Sequence, residues 1–87
     1  MRAGAYVSGD AGSNECPAGS VRIETEAACR TAAFAAGKTL PSSGFVETYS
    51  FVPRGCYCTA NIAYFNTDAV GAGGAGYKLL CAGAPTA

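Results

Sequence analysis

TEAACRTAAFAAG, residues 25–37, is the stretch on which the fold turns. Thr25 carries a hydroxyl suited to capping a helix N-terminus, and Glu26 comes next in the first turn, where the helix dipole favours negative charge. The interior is rich in alanine, the strongest helix former. Gly37 stands where a left-handed C-terminal cap belongs, with Lys38 near the negative end. The pattern predicts a helix over residues 25–36. Cys29, Ala32, Ala33 and Ala36 recur at i, i+3, i+4 and i+7 and form one face. That face is small and flat, so a sheet can approach it closely, and Cys29 on it implies a covalent tie from helix to sheet.

Downstream of the helix, LPSSG (residues 40–44) reads as a loop, and Phe45 to Val52 alternates with a period of two. Pro53-Arg54-Gly55 is turn chemistry. Cys56–Thr59 and Ile62–Phe65 read as two more strands, and the three runs predict an antiparallel meander. Val70–Gly76 is a glycine-rich loop, Tyr77–Cys81 a last strand, and residues 82–87 a frayed tail. Upstream, Gly4–Ser8 alternates weakly as an edge strand, and GDAGS (residues 9–13) and CPAG (residues 16–19) are turns. Ser20–Ile23 is a short strand with Val21 and Ile23 on one side. The expected fold is α+β: one Ala-rich helix packed on a small antiparallel sheet, in a single domain spanning residues 1–87 with its core at about 5–82.

A domain of 87 residues has little surface to bury and usually needs staples. The candidate core side chains are Phe34, Phe45, Phe51, Phe65, Tyr6, Tyr49, Tyr57 and Tyr64, with a few Val, Ile and Leu. Five cysteines are the obvious staples, and their spacing lacks the paired knuckles of a zinc module, so disulfides in an oxidising compartment are the first reading. Cys56 and Cys58 share one strand face, where a mutual bridge would be strained. Cys29 faces the sheet, which favours Cys29–Cys56, and Cys16 and Cys81 flank the two end strands, which favours Cys16–Cys81. Cys58 is then the free thiol. It is open to redox sensing, cofactor attachment or an intermolecular bridge, or it is a small buried hydrophobe.

Composition excludes several functions. Six basic and six acidic residues are scattered, which gives no footprint for nucleic acid or an anionic membrane surface. No His is present as a general base or metal ligand. The reading is therefore no enzyme, no cofactor and no metal. Gly71 to Gly76 matches G-x-G-x-x-G, but Tyr77–Cys81 reads as strand where the dinucleotide motif opens a helix, so a closely approached loop is expected. No apolar run is long enough to span a bilayer. The first ten residues contain no apolar targeting core, so any targeting segment is expected to have been removed. Charged residues make up 14%, against a usual figure of about 25%. This suits either a surface covered by partners or a quiet Ala/Gly/Ser/Thr surface. Tyr49, Phe51, Tyr57, Tyr64 and Tyr77 are the candidate interface, with ordinary core and cross-strand packing as the alternative.

CPAGSVRIETEAACRTAAFAAGK, PRGCYC, IAYFN, a glycine-rich stretch and a closing Cys81 together resemble small cysteine-patterned modules of dinoflagellate and other marine algal proteins. By that resemblance Cys16, Cys29, Cys56 and Cys81 form the framework and Cys58 is an addition. Single copies of the algal module look like peripheral plastid subunits, and the resemblance implies a lumenal accessory subunit of a dinoflagellate-type photosystem I. It would dock on protein subunits of that membrane complex without entering the bilayer and stabilise its neighbours. TEAACRTAAFAAG and the later GCYC are also similar to part of WSC and PAN-type extracellular modules. The alternative this implies is a secreted module binding carbohydrate or protein. A third reading, a redox enzyme, rests on the Cys56/Cys58 pair alone.

Overall fold

The computed structural model describes residues 6–83. Gly4 and Ala5 of the expected first strand and residues 84–87 of the expected tail lie outside the described residues. The elements run β1 (Tyr6–Ser8), β2 (Ser20–Arg22), α1 (Glu26–Ala35), β3 (Val46–Glu47), β4 (Gly55–Thr59), β5 (Ile62–Asn66) and β6 (Lys78–Gly83).

The helix forms for the local reasons its sequence offers. Thr25, extended at φ −129°, accepts a hydrogen bond from the Ala28 amide through its hydroxyl. At the other end Gly37 sits at φ +73°. The Gly37 amide donates to Phe34 O at 3.1 Å, and the Lys38 amide donates to Ala33 O at 2.9 Å. Together these make the paired Schellman closure. Cys29, Ala32 and Ala33 are fully buried. Ala36, expected on the same face, is the exposed cap, because the helix ends before its side chain reaches the sheet.

The strands form one sheet in the order β1-β6-β4-β5-β3, and β2 also pairs with β6. Cys81 of β6 opposes Val7 on one side and Arg22 on the other. Tyr57 and Cys58 oppose Leu79 and Lys78 further along. β2 and β4 thus succeed one another along the same edge of β6. Gly55, where the two meet, has φ +94°, and a Cβ there would lie 2.9 Å from Ile23 O, so only glycine lets them abut.

Four expectations change. The sheet is not wholly antiparallel, because β3 pairs in parallel with β5, Val46 opposite Phe65 and Glu47 opposite Asn66. The β4–β5 hairpin is antiparallel as expected, but β3 lies on the far side of β5, so the three strands are not a meander. The alternating run Phe45–Val52 yields only two strand residues. The chain must round the end of β5 to reach β4, and it leaves the ladder at Thr48 to do so. The last strand also extends past Cys81 to Gly83, since Ala82 and Gly83 find partners on β1 and β2.

Side chains alternate cleanly across the sheet. Cys56, Cys58, Ala63, Phe65 and Leu80 meet Cys29, Ala32, Ala33, Ile23 and Phe45 on the helix side. Tyr57, Leu79 and Cys81 point the other way and meet Val52, with Cys16, Tyr64 and Tyr77 beside them. Each side has a staple: Cys29–Cys56 joins the helix to β4, and Cys16–Cys81 joins the β1–β2 loop to β6. Two disulfides in so short a chain place it in an oxidising environment. Not every expected core residue is inside. Phe34 is 87% exposed, because it lies on the helix face away from Cys29. Val21 is exposed while Ile23 is buried, because β2 ends at Arg22 and Ile23 turns into the core. No helix of the described residues is long and apolar enough to cross a membrane.

Candidate functional site: an exposed aromatic turn

Tyr49 and Phe51 stack on each other with ring centroids 4.9 Å apart, and both are exposed. An apolar pair held open to solvent needs something to hold it, and a single side chain does this. Asn66, at the end of β5, is only 1% exposed. Its Oδ1 accepts from the Tyr49 amide at 2.9 Å and from the Asp68 amide at 3.2 Å. Its Nδ2 donates to the carbonyls of Tyr49, Val52 and Pro53. The amide thus supplies Tyr49 with both backbone partners that a neighbouring strand would have given it. This is why the alternating sequence turns instead of continuing as a strand. Val46, exposed on β3, leads into the same turn, and Thr48 and Thr67 join hydroxyls across its base.

The other three candidate tyrosines are not part of this surface. Tyr57 is buried at 3% exposure, so it is no docking residue. Its ring stacks on Tyr64 at 5.6 Å and meets the Tyr77 edge at 5.5 Å, and its hydroxyl donates to the Glu47 carboxylate. Burial, then Glu47, pushes the phenol pKa well above its ordinary value. Tyr64 and Tyr77 are half-buried around it. The expected flat tyrosine platform is instead a packed cluster, because strand alternation turns Tyr57 and Tyr64 toward the loops.

Those loops are fastened by polar side chains reaching backbone. Asn14 accepts from the Arg54 amide at 2.9 Å and donates to Val70 O at 2.8 Å. The half-buried Arg22 donates to Arg54 O and Asn14 O, both at 2.7 Å, and burial lowers its pKa. Asp68 accepts from the amides of Val70 and Gly71. The glycine-rich loop is closely approached, as expected. A Cβ on Gly73 would collide with Gly12 O, and one on Gly71 would lie 2.6 Å from the Arg54 nitrogen.

Cys58 is the free cysteine and is buried. No group of three or more His, Cys, Asp or Glu among the described residues is placed to hold a metal. Asn66 went unread in the sequence, since an asparagine ending a strand-like run gives no signal of burial.

Comparison with known proteins finds no family model, no curated protein and no solved structure that matches this chain.

Proposed function

We propose that this protein is a non-enzymatic accessory subunit that docks on protein subunits of a larger assembly through the Val46–Phe51 segment. The observation that carries this reading is the Tyr49–Phe51 pair, stacked, exposed and fixed in place by the buried Asn66 amide. Aromatic anchors dominate binding energy at protein interfaces, and a surface fixed beforehand loses little entropy on docking. The low charge of the chain suits a surface that is largely covered. The finer assignment rests on the algal resemblance: the assembly is photosystem I with its antenna, and the site of docking is the thylakoid lumen.

Native fractionation of the source cells tests this reading. The expected result is co-migration with a membrane photosynthetic complex and release by the double substitution Tyr49→Ser/Phe51→Ser, with the unfolding midpoint of the isolated chain unchanged. Recovery of the unsubstituted chain as a free monomer would overturn the reading. In that case an exposed aromatic pair also suits the face of a sugar ring, and selective retention on a glycan array, lost in the same variant, would favour the extracellular module.

A further inference from the structure

A cleft of about 270 Å³ opens at the end of the sheet remote from the aromatic turn. Lys38, Cys58, Ala60 and Lys78 are among the residues that line it. Its charge sets it apart from the rest of the surface. Arg30 pairs with Glu26 at 2.8 Å and Arg54 with Glu24 at 2.9 Å. Arg22 spends its guanidinium on carbonyls. Lys38 and Lys78 form no ion pair among the described residues, and both line this one cleft, which no carboxylate lines. Lys38 reaches only the Ala60 carbonyl, at 3.4 Å.

The fold brings the thiol into the same cleft as these two charges. Cys58 and Lys78 oppose each other directly in the β4–β6 ladder, so their side chains leave the sheet on the same face. Lys38 closes the Schellman turn of α1 through its amide and lines the same cleft. Cys58 is 4% exposed, and its sulfur has no hydrogen-bond partner among the described residues. Burial raises the thiol pKa, and the two lysines oppose that rise.

We propose that this cleft admits a small anionic disulfide, which Lys38 and Lys78 select by charge, and that Cys58 takes a mixed disulfide from it. Cys58 first loses its proton to water. The thiolate then attacks the nearer sulfur of the bound disulfide. A bond forms between Cys58 Sγ and that sulfur, the original S–S bond breaks, and the distal half leaves as a thiolate carrying the bonding pair. Cys58 is oxidised and the departing half is reduced, so no further reagent is needed. The product is a chain with both native bridges intact and an anionic cap seated between two lysines. This site is independent of the aromatic turn and of the docking reading.

The test is the labelling rate of the native, oxidised protein with three disulfide probes, each normalised to an unstructured cysteine peptide. The probes are dithiobis(nitrobenzoate), which is dianionic, dithiodipyridine, which is neutral, and cystamine, which is cationic. The expected result is a normalised rate about tenfold higher for the anion than for the cation at low salt, collapsing in about 0.5 M salt. The Lys38→Met/Lys78→Met variant is expected to lose this preference, its normalised rates for anion and cation becoming equal, and to react more slowly with all three probes, because the lysines no longer oppose the rise in the thiol pKa. The salt series reports on the unsubstituted chain, so the test stands even if that variant does not fold. Equal normalised rates for all three probes would overturn the proposal. So would a native thiol that reacts with none of them, or a label that persists in Cys58→Ser and therefore comes from a native bridge.

Discussion

The two faces of the sheet are held by different means. On the helix side, small side chains are enough. Cys29, Ala32 and Ala33 let the helix lie close on Cys56, Ala63 and Leu80, and nothing there needs a polar partner. On the other side there is no helix. Irregular loops cover Tyr57, Leu79 and Cys81, and each loop brings backbone groups that must be satisfied away from water. Asn14, Arg22, Asn66 and Asp68 satisfy them, and no buried side-chain nitrogen or oxygen among the described residues is left without a partner. The lesson is that a helix brings its own hydrogen bonds to a sheet, whereas a loop layer has to borrow them from side chains.

Substitutions can break this contrast or sharpen it. The largest effect is expected where the loop layer is tied covalently. Replacing Cys16 and Cys81 by alanine opens a bridge spanning 65 residues and should cost about 4 kcal/mol in the chain-entropy account. It should do so without loss of helical signal, read by denaturant unfolding and circular dichroism. A helical signal lost together with stability would show that the two faces are not separable. Next is Asn66→Ala, which leaves the buried Pro53 carbonyl and the partly buried Tyr49 and Asp68 groups without their partner and should cost about 3 kcal/mol, read as a lower denaturant midpoint. A cost near zero would mean that water replaces the amide.

The smallest effect carries a pH signature. Tyr57→Phe removes the bond to Glu47 and should cost about 1 kcal/mol at neutral pH. The folded phenol has a raised pKa, so its stabilising contribution is complete below the unfolded value of 10.0 and is lost as pH rises beyond it. Above pH 10 the native protein should therefore lose about 1.4 kcal/mol per pH unit relative to the variant, and the gap should close about one unit higher. Parallel profiles through that range would show that the hydroxyl is not withheld from water.

The sequence was most legible where a local rule and a tertiary demand coincide. Thr25, Gly37 and the alanine face define α1, and Cys29 on that face points to its bridge with Cys56, because helical spacing leaves it one direction in which to point. The hairpin of β4 and β5 emerges from alternation in the same way. Alternation failed at Phe45–Val52, because whether that run continues as a strand depends on a side chain at position 66. The parallel pairing of β3 was hidden for the same reason, since the route of the chain around the end of β5 is a non-local choice. The aromatic turn was half legible. Tyr49 and Phe51 stood out, but nothing local separated them from Tyr57, whose burial is decided by which side of β4 faces the loops. The lysine pair stayed hidden because Lys78 comes opposite Cys58 only through the pairing of β4 with β6, and Lys38 reaches the same cleft only from the end of α1.

β6 is the last of the described strands and the one with most partners, pairing with β1, β2 and β4. Tyr6 thereby waits for Ala82 and Cys16 for Cys81. A chain delivered from its N-terminus, from a ribosome or through a translocation pore, can form α1 and the β4–β5 hairpin early, but its sheet cannot close until residues 78–83 have emerged. Contacts of such long range make for slow folding. In such a vectorial delivery the sheet and the Cys16–Cys81 bridge are the last parts of the fold to form.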